Sequence, residues 1–132
     1  MPKYPYFIPA PGVYKPWVPV ILGYKKTHRI TKPVTALIDS GADVCFCTKD
    51  IGIWLGVQFK NKKAVPFTAA NNTTFDTYPE KITLYACGTQ YECEFYFSDS
   101  LPRETPIILG QLGFFDHFKI SFDVKNKEIE IT

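Results

Sequence analysis

The sequence carries little excess charge of either sign and no long apolar run. Fifteen Lys and Arg against thirteen Asp and Glu leave a formal net charge of +2. Its densest basic stretch is the short Lys60-Asn61-Lys62-Lys63. A partner held through phosphate neutralisation needs more positive charge, and needs it clustered. Nucleic acid is therefore not an expected partner. The lysine run reads as a solvated loop; the alternative, an anion-binding patch, has no motif to support it. The longest apolar stretch, Trp17 to Leu22, is too short to span a bilayer and contains Pro19. Met1-Pro2-Lys3-Tyr4-Pro5 leads into scattered prolines instead of the apolar core of a secretory signal. A soluble, cytoplasmic protein with no membrane partner is expected.

Cysteine and histidine are also scarce. The cysteines are Cys45, Cys47, Cys87 and Cys93. A chain of 132 residues with 45% hydrophobic content does not need disulfides to fold. The C-x-C and C-x5-C spacings miss the usual zinc pattern. A hairpin turn at Gly88-Thr89 pairs Cys87 with Gln90 and Leu84 with Cys93, so these thiols do not face each other. Buried, small apolar roles are expected for the cysteines, with no metal and no cofactor. Nothing in the sequence places His28 or His117 near Cys45 or Cys47, which argues against a Cys/His hydrolase.

What the chain has is aromatic side chains, at 16%, and 11 prolines. Together they point to β-structure and ordered loops in one domain. Residues 1–16 read as an extended Pro/Tyr-rich arm, and 17–132 as the folded domain. Trp17 to Tyr24 and Lys32 to Ile38 read as strands around a Lys25-to-His28 turn. A short strand over Val44 to Phe46 precedes a helix over Lys49 to Leu55, with Thr48 as its cap and Gly56 closing it. Ala64 to Ala69 and Thr74 to Tyr78 flank an asparagine-rich tip. Lys81 to Ala86 and Gln90 to Phe97 form a second hairpin. Ile107 to Gly110 reads as a buried strand, followed by a short helix through Gln111 to Phe115. Phe118 to Val124 and Glu128 to Ile131 form a final hairpin.

One segment carries chemistry. Asp39 sits where the apolar strand Thr35-Ala36-Leu37-Ile38 runs out into Ser40-Gly41. A carboxylate at the mouth of a dry strand is expected to be partly desolvated, which suits it to proton transfer. Gly41 lets the backbone turn sharply and approach a ligand. As an isolated tripeptide, Asp-Ser-Gly is ordinarily a plain turn. The second element, Ile107-Ile108-Leu109-Gly110, follows roughly seventy residues later.

The pair, apolar-Asp-Ser-Gly-Ala and apolar-apolar-Gly, resembles the retropepsin-like aspartic proteases. Thr48 to Val57 resembles that family's segment ending in Leu-Gly-apolar. Phe67-Thr68-Ala69-Ala70-Asn71-Asn72-Thr73 resembles its flap hairpin, and Leu109 to Phe115 leading to Ile120-Ser121-Phe122-Asp123 its C-terminal part. The resemblance spans about residues 17 to 131 in the correct order. It departs at Gln111, where many members carry a charged residue, leaving a hydrogen bond but no salt bridge to Asp43. It departs again at the flap tip, where Asn71 and Asn72 replace glycines.

The resemblance implies a mostly β fold: a small closed barrel of the acid-protease type, with a flap and one or two short helices. It implies Asp39 as the catalytic carboxylate, with Ser40 and Gly41 supporting its loop. Ala42, Asp43, Ala70, Asn71, Asn72, Ile107 and Ile108 are then expected to bind a polypeptide substrate, with Leu109 and Gly110 structural. Only one Asp-Ser-Gly occurs, so a symmetric homodimer is implied, its two Asp39 carboxyls roughly 3 Å apart and sharing one proton. Two other classes stand beside this. One is a peptide-binding or assembly module that keeps the fold with weak or no catalysis. The other is a phosphotransferase with Asp39 as nucleophile, which wants a second carboxylate where Gly41 stands.

Overall fold

The computed structural model describes residues 3–132. Three short strands open the chain: β1 (Lys3–Pro5), β2 (Phe7–Ala10) and β3 (Val13–Lys15). Residues 3–15 thus form short strands interrupted by a turn at Pro11-Gly12, and they are not a free tail. β1 pairs with a strand at the other end of the chain, while β2 and β3 form a hairpin of their own.

Then come β4 (Trp17–Tyr24), β5 (Arg29–Ile30), β6 (Val34–Ile38), β7 (Cys45–Thr48) and α1 (Lys49–Leu55). The rest is β8 (Val65–Thr68), β9 (Thr74–Ala86), β10 (Thr89–Ser98), β11 (Ile107–Leu109), β12 (Ile120–Asp123) and β13 (Glu128–Ile131). β4 alternates as a half-buried strand should, with Val18, Val20 and Leu22 turned inward. It pairs with β6 over Trp17 to Val20, then with β9 over Ile21 to Gly23. That change of partner closes a ring, β4-β6-β11-β7-β10-β9, back onto β4. Closure removes the open edges of these six strands, leaving β5 and β8 outside the ring. Leu22, Ile82, Leu84, Phe95, Phe97, Ile107, Leu109 and Phe114 fill the interior and are fully buried. β1, β13 and β12 make a separate three-stranded sheet, whose Ile129 and Ile131 complete the core.

Three local expectations are corrected. The β9–β10 turn sits at Cys87-Gly88, whose φ values of 53° and 76° suit a tight hairpin turn with two left-handed residues. Ala86 therefore faces Thr89, and Cys93 faces Ile82 instead of Leu84. The partner moves by two positions, so each side chain keeps its face. Thr48 precedes α1 without a side-chain cap, because it still belongs to β7 and pairs with Ser98. Gly56 does close the helix, at φ 90°. Gln111 to Phe115 is a series of turns without a helix, for Gly113 takes φ 109° and breaks the helical path. Among the described residues no helix is long and apolar enough to cross a membrane.

Candidate active site

Asp39 is the first residue past β6, and its N–H donates to Leu109 O at 3.0 Å. That bond continues the parallel β6–β11 pairing by one step, so the carboxylate is carried on the end of a buried ladder. The loop then folds on itself: Gly41 N–H donates to Asp39 Oδ1 at 2.9 Å, and Ala42 N–H to Asp39 O at 3.2 Å. One carboxylate oxygen is thereby oriented by backbone, and the side chain remains half-exposed.

The chain leaving β11 crosses this loop. Gln111 N–H donates to Ala42 O at 2.8 Å and Leu112 N–H to Asp43 O at 2.9 Å, with Val44 and Leu112 forming an isolated parallel bridge. A Cβ at Gly110 would run into the backbone of Val44 and Ala42, so only glycine fits where the two loops touch. The Gln111 side chain bonds Ser40 O at 2.6 Å, and not Asp43 as anticipated. It thus ties the crossing to the aspartate loop directly.

Behind the crossing lie two thiols. Gly110 N–H points at Cys45 Sγ at 3.5 Å, and Cys93 Sγ donates to Gly113 O at 3.5 Å. The Cys93 thiol is pushed well up by its hydrogen bond with Cys45 and by burial, and burial does the same to Cys47. Cys45, Cys47 and Cys93 are buried; Cys87 is half-buried in its turn.

The β8–β9 hairpin holds the segment that resembles a flap. Ala69 N–H donates to Thr73 O at 2.8 Å, and Asn72 occupies the left-handed region at φ 66°. Asn71 Oδ1 accepts from Thr73 N–H (3.1 Å) and Thr73 Oγ1 (2.6 Å). Asparagine chemistry closes the tip without glycine. Between this hairpin and the aspartate loop lies a cleft of about 230 Å³, with Gly41, Ala42 and Asp43 on one side and Phe67 to Ala70 on the other. Phe46 and Phe75 form its wall.

The structure therefore brings Ala42, Asp43 and Ala70 to one cleft beside Asp39. Asn71 and Asn72 sit exposed at the hairpin tip. Ile107 does not join them: it is fully buried in the barrel, opposite Cys47. Strand alternation leaves Ile108, paired with Phe46, half-exposed on the other face. Sequence reasoning missed Phe46 and Phe75, and took Phe67 only as part of the flap-like segment. The signal was the alternation Cys45-Phe46-Cys47, which turns the aromatic away from the face that buries the thiols.

Solved structures share this architecture. A retropepsin-like aspartic protease from Rickettsia conorii superposes with a TM-score of 0.64 at 14% identity, covering 100% of this chain and 99% of that one. The retroviral protease-like domain of Ddi1 from Leishmania major gives 0.59 at 17% identity, over 90% and 89%. The protease of EIAV, in complex with the inhibitor HBY-793, gives 0.56 at 17% identity, over 78% and 88%. No protein-family model and no curated protein matches the sequence. The fold is that of the retropepsin-like aspartic proteases: a mostly β chain with a closed six-stranded barrel.

Proposed function

We propose that this chain is one subunit of a homodimeric aspartic endopeptidase. The observation that carries this reading is the crossing at Gly110, which holds Asp39 at the end of the β6–β11 ladder beside a flap-covered cleft. One Asp-Ser-Gly supplies half a site. Two Asp39 loops facing across a two-fold axis supply the pair of carboxyls that such chemistry needs. At roughly 3 Å both cannot ionise, so they hold one proton between them. One carboxylate takes a proton from water as that water attacks the scissile carbonyl. The other carboxyl donates its proton to the carbonyl oxygen. The gem-diol then collapses as the amide nitrogen is protonated and the C–N bond breaks.

The substrate lies extended between flap and floor, bonded by backbone groups. Ala42, Asp43 and Ala70 flank it, and Phe46, Phe67 and Phe75 offer an apolar, aromatic-walled space for its side chains. Asn71 and Asn72 cover it from the flap tip.

The test is digestion of a diverse peptide library at several pH values, wild type against Asp39→Asn. Cleavage is expected on the acid side of neutrality. The substitution should lower turnover by about 10²–10⁴-fold or more while leaving the fold unchanged. Equal activity of the two proteins, or a rate still climbing above about pH 8, is incompatible with a shared-proton dyad.

A further inference from the structure

Four of the large hydrophobic side chains that stay exposed fall within eight residues: Phe7 (45%), Ile8 (55%), Val13 (38%) and Tyr14 (41%). All four lie on the β2–β3 hairpin, whose turn contains Gly12 at φ 77°. Every residue of both strands is exposed, and its own chain touches the ribbon's rings only in part, through Trp17 on Phe7 and Lys127 over Tyr14. An isolated two-stranded hairpin is marginal in water. This one is held at its base: Phe7 stacks on Trp17 with centroids 5.2 Å apart, and Tyr6 N–H donates to Lys127 O at 2.8 Å. Residues 6–14 contain no charged side chain. Aromatic enrichment with charge depletion is the composition of an interface centre.

The position of the hairpin matters as much as its composition. Pro16, which directly follows it, accepts the Ile38 N–H at 3.0 Å, and the next residue is Asp39. The base of the ribbon is thus anchored beside the strand that carries the aspartate loop. β1 is already committed to β13 of its own chain, which leaves β2–β3 as the unpartnered part of the N-terminal segment.

We propose that the β2–β3 hairpin is an intersubunit arm, packing its apolar side chains on a second copy of this chain and so drawing the two Asp39 loops together. The proposal rests on the reading that Asp39 works as a pair. A second copy is the favoured occupant because half a site requires one, and because the aspartate loop alone is a small contact. A stable interface takes roughly 800 Å² from each partner. At their exposures, the four side chains supply on the order of 300–400 Å², and Leu112, 61% exposed at the crossing, adds to it.

Sedimentation equilibrium on the full chain tests this. The combined variant Phe7→Ser, Ile8→Ser, Val13→Ser and Tyr14→Ser should raise the dimer dissociation constant at least about 100-fold, with the barrel intact by circular dichroism. Its specific peptidase activity should then fall on dilution where that of wild type does not. Should the variant fail to fold, wild-type amide exchange above and below the dissociation concentration decides instead. Protection of residues 7–15 must rise on association, and no change overturns the arm. A folded variant with unchanged dimer affinity, a wild type that stays monomeric, or a variant with increased activity (the hairpin covering its own cleft) also overturns it. A hairpin-dependent dimer without peptidase activity would sink the protease reading and leave the arm standing. A peptidase whose dimer ignores these substitutions would do the reverse.

Discussion

The floor and the roof of the cleft are built by different physics. The floor is a crossing of two loops, closed by backbone hydrogen bonds from Gln111 and Leu112 and with no room for one extra carbon at Gly110. The roof is a hairpin whose β8 strand has a single partner and stands outside the barrel ring. It meets the barrel wall through aromatic rings, with Phe46 of β7 5.2 Å from Phe67 and 5.8 Å from Phe75. Backbone closure has one geometry, whereas ring contacts can slide and re-form. The proposed peptidase, which would hold a carboxylate still while admitting a chain of varied sequence, needs both kinds of construction.

The largest effect should follow from breaking the floor. Gly110→Ala is expected to cost about 3–5 kcal/mol in urea unfolding and to abolish cleavage, because backbone and not a flexible side chain must move. Gly88→Ala, in open space at φ 76°, should cost only about 1 kcal/mol. Phe46→Ala removes the wall ring on which the roof packs, and thermal unfolding should report a loss of about 2–4 kcal/mol. If floor and roof were one rigid unit, Asn71→Ala would lower global stability comparably. Instead it should cost about 0.5–1 kcal/mol, seen as faster amide exchange confined to residues 69–74.

The smallest effect concerns the root of the roof. Lys62, just before β8, pairs with Glu80 of β9 at 3.1 Å, and Tyr24 of β4 donates to Glu80 at 3.0 Å. Burial pushes the Tyr24 hydroxyl up to about 12, with Glu80 adding to the shift. Burial alone would raise the Glu80 carboxyl, but the Lys62 and Tyr24 hydrogen bonds and the Lys62 charge outweigh it and hold it below its ordinary value. A depressed carboxylate stabilises the fold above its unfolded pKa, about 4.3, and that contribution is lost as pH falls through the folded value. Wild type should therefore exceed Glu80→Gln in stability by up to about 1 kcal/mol near neutrality. The gap should close as the pH falls below the ordinary carboxylate range and through the depressed value of Glu80.

What could be read from the chain in advance follows the same division. Trp17 to Tyr24, Lys49 to Leu55 and the two apolar-to-glycine segments were legible because each is a local pattern of period or punctuation. The Ala69-to-Thr73 tip was legible because Asn71 and Asn72 have turn chemistry of their own. The Cys87-Gly88 turn was placed one residue late, since a cysteine at positive φ leaves no mark in composition. β1 on β13 is a pairing between opposite ends, set by tertiary burial of Ile129 and Ile131. The aromatic wall was hidden for a related reason. Alternation says that Phe46 and Cys47 face opposite ways, but not which side holds a cleft.

The crossing also has a consequence in time. Gln111 and Ser40 are 71 residues apart in the chain, and the strands that position them, β6 and β11, are equally distant. Contacts of that span close late and slowly in folding, after local hairpins such as β9–β10 have formed. A chain still emerging from synthesis has Asp39 early, but lacks the segment that holds its loop in place until residue 112 is free. The carboxylate is thus made first and positioned last, so a half-made copy has no floor beneath its cleft.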